Sequence, residues 1–172
     1  MDIKSKIREI PDFPKKGVNF KDITPLLLDH ASFSYALHQI IRRFRGEKVD
    51  VVASAESRGF IIGSILAYEL GAGFVPLRKP GKLPYRTIKQ EFETEYSTDA
   101  FEVHEDAIKK GDTVLIVDDV LATGGTASAA AHLVEKLGGK VLSFVFLMEL
   151  SFLKGREKIK KYPVFSLLDY DR

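Results

Sequence analysis

The chain has 172 residues, 45% of them hydrophobic and 29% charged, with a formal net charge of +2 and no cysteine. That size and composition suit one ordinary globular domain with a sizeable core. The near-balanced charge speaks against broad nonspecific binding to nucleic acid, the lack of cysteine removes disulfides, thiolate zinc sites and a thiol nucleophile, and no apolar run is long enough to span a bilayer.

Residues 1–8 hold no signal-peptide core, so the expected location is the cytoplasm, with no membrane partner. Ile3, Ile7 and Ile10 recur at helical spacing and Pro11 ends the pattern, which predicts an opening helix. A turn-rich stretch over 11–17 leads into 18–23. Ser32 reads as an N-cap, and Phe33, Ala36, Leu37, Ile40, Ile41 and Phe44 predict an amphipathic helix that Gly46 stops.

From there the rhythm is strand, loop, helix. Strands are predicted over 49–53, 74–77, 113–117, 141–148 and 164–168. Helices are predicted over 60–70, ended by Gly71, and over 127–137. Continuous apolar strands alternating with helices predict an α/β fold, a parallel sheet covered by helices on both faces. In such sheets ligands sit beyond the carboxyl ends of the strands. Residues 79–105 break the rhythm. They are polar and charged, include Gly81 and Pro84, and read as a long loop, functional or disordered. No repeat or linker divides the chain, so one domain over 1–172 is expected.

The most informative run is 114–126, VLIVDDVLATGGT. An apolar strand delivers the adjacent carboxylates Asp118 and Asp119, which can accept hydrogen bonds from a sugar diol and favour positive charge developing on a nearby ring. Ala122, Thr123, Gly124, Gly125 and Thr126 then supply backbone N–H groups and hydroxyls ahead of a helix N-terminus, a setting that favours a phosphate. Gly-Gly alone fits an ordinary strand-to-helix turn equally well; the whole run is far more specific. No P-loop and no Gly-x-Gly-x-x-Gly is present.

Glu56-Ser57-Arg58-Gly59 also follows a strand and opens a helix, so its N–H groups can meet an anion. Arg78, Lys79 and Lys82 form a basic cluster beside the long loop. On charge alone that cluster reads more readily as a solvated face. His30, His38, His104 and His132 show no metal-ligand spacing and read as surface or packing residues.

Run 114–126 resembles the phosphoribosyl-pyrophosphate (PRPP) motif of type I phosphoribosyltransferases. Nearly the whole chain resembles the adenine branch of that family, through Phe13-Pro14, GVNFKDITP at 17–25, ESRGF at 56–60, PLRKPGKLP at 76–84, Glu95-Tyr96 and LKGRE at 153–157. The resemblance implies a type I phosphoribosyltransferase-like sheet core, a small hood built largely from 1–30, and a flexible loop over about 79–105 that closes on the substrates. The implied reaction is adenine plus PRPP giving AMP and pyrophosphate, a purine-salvage step.

Residue by residue, the resemblance assigns the ribose diol to Asp118 and Asp119 and the 5′-phosphate to Ala122–Thr126. Pyrophosphate falls to Glu56, Ser57, Arg78, Lys79 and Lys82, with a cis Glu56–Ser57 peptide. Adenine falls to Val18, Phe20, Lys21 and Arg58, its edge read by backbone groups, and proton handling at the purine N7 side to Glu95. The family commonly follows this Glu-Tyr with glycine and a basic residue; here Ser97-Thr98 follows. Magnesium is implied as bound with PRPP rather than by a dedicated protein cage, and a homodimer is implied.

Two other readings are weighed. The same chemistry on hypoxanthine, guanine or xanthine is disfavoured by the Phe20-Lys21 and 154–157 segments. A PRPP-sensing regulator of nucleic acid would want an added DNA-binding module or a strongly basic face.

Overall fold

The protein's structure, a computed structural model, describes residues 1–94 and 97–172. They form two compact units, residues 1–43 and 44–172.

In the N-terminal unit, a 3-10 turn at Lys4–Lys6 precedes β1 (Arg8–Ile10), which pairs antiparallel with β2 (Phe20–Asp22) in the register Arg8↔Asp22 and Ile10↔Phe20. The expected opening helix is therefore absent. A segment this short, rich in β-branched isoleucine, cannot sustain a helix alone, and cross-strand pairing takes its last residues. Helices α1 (Thr24–Leu28) and α2 (His30–Phe44) follow. Asp29 caps α2, its Oδ1 accepting the Ser32 N–H at 3.2 Å. Ser32, expected as the cap, is buried within the first turn of the helix.

In the second unit the elements run β3 (Val51–Ala55), α3 (Arg58–Leu70), β4 (Gly73–Leu77), β5 (Thr87–Glu93), β6 (Thr98–His104), β7 (Thr113–Leu121), α4 (Gly125–Lys136), β8 (Lys140–Leu150) and β9 (Val164–Tyr170). Five strands form a parallel sheet in the order β4-β3-β7-β8-β9. All five residues of β3 are buried, as are Val114–Val117 of β7 and Phe144–Met148 of β8. Helix α3 packs on β3, β4 and β7, and α4 on β7, β8 and the β5–β6 pair. Gly71, left-handed at φ 66°, ends α3 as expected.

The strand order reverses between β3 and β7, which makes the carboxyl ends of those two strands the topological switch point. There β7 runs longer than the expected 113–117. Strand β3 stops pairing at Ser54↔Val117, but β8 continues alongside with Asp118↔Phe146, Val120↔Met148 and Leu121↔Glu149. Asp118 and Asp119 thus lie within the strand, on a stretch flanked by β8 and no longer by β3.

Residues 79–105, read as a loop, contain instead an antiparallel ribbon, with Thr87↔His104 through Glu93↔Thr98 paired. Period-2 alternation puts Ile88, Gln90 and Phe92 on one face with Asp99, Phe101 and Val103 opposite them. Phe92, Phe101 and Val103 are buried in the unit's main core.

Candidate active site

Where β3 and β7 end, a cleft of about 410 Å³ opens within the second unit. Glu56, Ser57 and Arg58 line it from one side, Asp118 and Asp119 from the floor, and Ala122–Thr126 from the far side, with Lys79 also at its wall.

Glu56 and Ser57 leave β3 through a cis peptide, and Arg58 begins α3. The Glu56 carboxylate gathers the surrounding donors. It accepts the Lys79 backbone N–H at 2.6 Å and Lys82 Nζ at 2.9 Å, and pairs with Arg78 Nε at 3.4 Å. Burial pushes its carboxyl up, but the Lys79 N–H and the Lys82 and Arg78 cations outweigh that and hold it below the ordinary glutamate value. Arg78 and Lys82 do not themselves line the cleft; they meet it through Glu56.

Asp119 is nearly fully buried, and its Oδ2 receives Arg58 Nε at 2.7 Å. The Asp119 N–H donates to Asp118 Oδ1 at 2.8 Å. Loss of water and the adjacent Asp119 charge push the Asp118 carboxyl well above the usual aspartate range. Helix α3 can approach this pair because Gly59 carries no side chain: a Cβ there would stand 2.9 Å from Asp118 Oδ1 and 3.1 Å from the Val117 carbonyl.

After Leu121 the chain turns through Ala122 and Thr123 into Gly124, left-handed at φ 84°, which caps α4 without a side chain. The first N–H groups of α4 lack intrahelical acceptors by construction, so the loop can offer them, together with the Thr123 and Thr126 hydroxyls, to an anion. A Cβ at Gly125 would come within 2.8 Å of the Glu93 carbonyl, so the β5 strand end lies directly against this loop.

The ribbon supplies cleft residues that the sequence reading did not single out: Phe92, Glu93, Thr94, Asp99 and Phe101. Phe92 and Phe101 pack ring to ring at 5.0 Å, and Asp99 pairs with Lys79 Nζ. For Phe92, Asp99 and Phe101 the signal was the alternation noted above.

Val18, Phe20 and Lys21 belong to the N-terminal unit. Within it, Lys21 Nζ donates to Glu9 Oε1 at 2.5 Å, and Asn19 Nδ2 to Glu9 Oε2 at 3.0 Å. Phe13 meets Phe20 edge to face at 5.3 Å, next to a cis Phe13–Pro14 bond. Glu95 lies outside the described residues. Among the described residues no group of three or more histidine or acidic side chains is placed to hold a metal ion.

A switch-point cleft with a carboxylate pair at one end and a helix N-terminus at the other defines a class of α/β proteins built to hold a phosphorylated sugar, and the comparisons agree. The phosphoribosyl transferase domain model matches residues 25–170. An adenine phosphoribosyltransferase from Thermoanaerobacter sp. is 56% identical over 98% of both chains, and one from Thermotoga petrophila is 53% identical over 99% of this chain and all of its own. The solved adenine phosphoribosyltransferase of Thermoanaerobacter pseudethanolicus superposes with a TM-score of 0.95 at 55% identity, covering 98% of each chain. That of Saccharomyces cerevisiae, complexed with an imino-altritol bisphosphate and adenine, superposes at 0.91 and 43% identity, covering 97% of each. The chain belongs to the phosphoribosyltransferase family and, within it, to the adenine phosphoribosyltransferases.

Proposed function

We propose that this protein transfers the 5-phosphoribosyl group of PRPP to adenine, giving AMP and pyrophosphate. The observation that carries the reading is one cleft holding an adjacent carboxylate pair, Asp119 buried and Asp118 half-buried, a helix N-terminus and a cation-ringed turn. Those features match the diol, the 5′-phosphate and the pyrophosphate of a single substrate.

In this reading the α4 N-terminus and the Ala122–Thr126 loop bind the 5′-phosphate. Asp118 and Asp119 accept the 2′- and 3′-hydroxyls and favour the positive charge that builds on the ribose ring as its bond to pyrophosphate breaks. Lys79, Arg78 and Lys82 stabilise the departing pyrophosphate, beside the Glu56–Ser57 turn. The purine nitrogen attacks the anomeric carbon directly, so no covalent enzyme intermediate is required. Val18, Phe20 and Lys21 are assigned to the base edge. A backbone donor and acceptor separate a 6-amino from a 6-oxo purine, because a mispaired buried group costs about 1–3 kcal/mol. Arg58 is assigned to the base as well, and Glu95 to proton handling at N7.

The donor set fits magnesium carried by the substrate. Mg²⁺ favours oxygen ligands, keeps several waters and binds through one or two carboxylates plus substrate phosphates. Asp118 and Asp119 would face it through the diol, and it would neutralise charge on the pyrophosphate oxygens. We place the protein in the cytoplasm as a homodimer, with no nucleic-acid or membrane partner. Among the described residues no helix is long and apolar enough to cross a membrane.

The test is direct. Protein, PRPP and Mg²⁺ are incubated with adenine, hypoxanthine, guanine or xanthine, and the nucleotide formed is identified. AMP from adenine alone is expected; IMP or GMP as the main product would overturn the base assignment.

A further inference from the structure

We propose that Arg156 is a positioning residue for the phosphate loop: it clamps the segment after β8 so that the Gly155 backbone buttresses Ala122–Gly124 from behind. The inference rests on the phosphoribosyl-transfer reading above.

Two glycines far apart in sequence meet here. A Cβ on Gly124 would overlap the Gly155 carbonyl, and a Cβ on Gly155 would overlap the Ala122 carbonyl and stand 3.0 Å from Leu121 Cδ1. The phosphate loop therefore rests on a second stretch of main chain. That stretch is bent into place at Lys154, a non-glycine residue in the left-handed region at φ 56°, before the 3-10 turn Gly155–Ile159.

What holds the bend is a polar clamp. Arg156 Nε donates to both oxygens of Glu149 at 2.8 Å, and its Nη2 reaches Glu149 Oε2 at 2.7 Å. Nη2 also reaches Ser166 Oγ at 3.2 Å and Nη1 the Val164 carbonyl at 3.4 Å, while Ser166 Oγ donates to Glu149 Oε2 at 2.9 Å. Glu149 is buried and pairs in register with Leu121, the last residue of β7 before the loop. The clamp is thus fixed to the sheet at the level where the phosphate loop leaves it. Only a planar fork reaches both carboxylate oxygens and β9 together, which an ammonium cannot do.

The test compares Arg156→Lys, Arg156→Ala and the double variant Arg156→Ala with Glu149→Gln. The double variant removes the buried carboxylate that the single variant leaves unpaired. Arg156→Ala is expected to raise KM for PRPP about 10-fold or more while changing KM for adenine less than about 2-fold, a split that marks lost binding at one substrate. Arg156→Lys should fall between it and the parent. In the double variant the melting temperature should recover while KM for PRPP stays raised. If KM for PRPP is unchanged, or returns to the parent value as stability returns, the positioning role is wrong. If Arg156→Ala does not fold, Arg156→Lys and the double variant decide by the same KM comparison. A parent protein that does not bind PRPP overturns the phosphoribosyl-transfer reading and this inference with it; a parent that binds PRPP, with no split among the variants, overturns this inference alone.

Discussion

Asp118 holds its proton to higher pH in the folded protein than in the unfolded chain, because burial and the Asp119 charge both oppose ionisation. Folding then takes up a proton over that interval. This residue's contribution to stability is complete below its ordinary value of 3.8 and declines as pH rises through the folded-state value. Glu56 acts in the opposite sense. Its folded-state value is lowered by its neighbours, so its contribution is present above the ordinary 4.5 and lost as acid titrates it. Replacing Asp118 by Asn should therefore give a melting-temperature advantage over the parent that widens from about pH 4 upward and then levels off. An advantage that narrowed with rising pH would contradict the assignment. Joined with Asp119→Asn, the same change should lower turnover about 100-fold or more, since two groups aimed at developing positive charge are lost. Turnover near the parent's would remove the pair from the mechanism.

At the scale of elements, α3 lies on β3 through Gly63. A Cβ there would overlap Ser54 Oγ and stand 2.9 Å from Ser54 Cβ. Ser54 is fully buried, with no hydrogen-bond partner for its hydroxyl among the described residues. Gly63→Ala should destabilise the protein by about 1–3 kcal/mol by overpacking, and adding Ser54→Gly should recover part of it. Urea unfolding of the two variants measures this; equal midpoints for Gly63→Ala and the parent would mean that the helix shifts freely.

The sheet strands and both flanking helices were legible because their apolar periodicity is uninterrupted. So was the switch-point pocket, since its loops follow apolar strands directly. The ribbon was not. Gln90 and Asp99 sit on the same faces as Phe92 and Phe101, and the polar lead through Lys79 and Pro84 hides the alternation. The isoleucines at 3, 7 and 10 misled for the converse reason: helical spacing over so few residues does not overcome available strand pairing. The close approach of Gly124 and Gly155 lay beyond sequence reading altogether, because it joins segments that only the finished sheet brings together.

At the scale of the whole molecule, α3 carries Ile61, Ile65 and Tyr68 at the spacing of one helical face. Ile61 and Tyr68 are exposed, Tyr68 at 85%. An apolar stripe of this kind suits a self-complementary contact between two copies. The parent should run at the mass of a dimer in size-exclusion chromatography with light scattering, and Tyr68→Glu should shift it toward monomer. A parent already monomeric, or a variant with unaltered mass, would remove α3 from the proposed contact.

The order of strands also bears on how the chain leaves the ribosome. Strand β3 emerges early and can pair with β4 at once, but its other edge waits for β7, which follows only after the ribbon has been made. A nascent chain halted before Thr113 would carry Val51–Ala55, wholly buried in the finished sheet, with that edge unfilled. Such an edge is a template for wrong partners. The central position of β7, which places the carboxylate pair at the switch point, also leaves the inner edge of β3 open through the whole stretch of synthesis that precedes it.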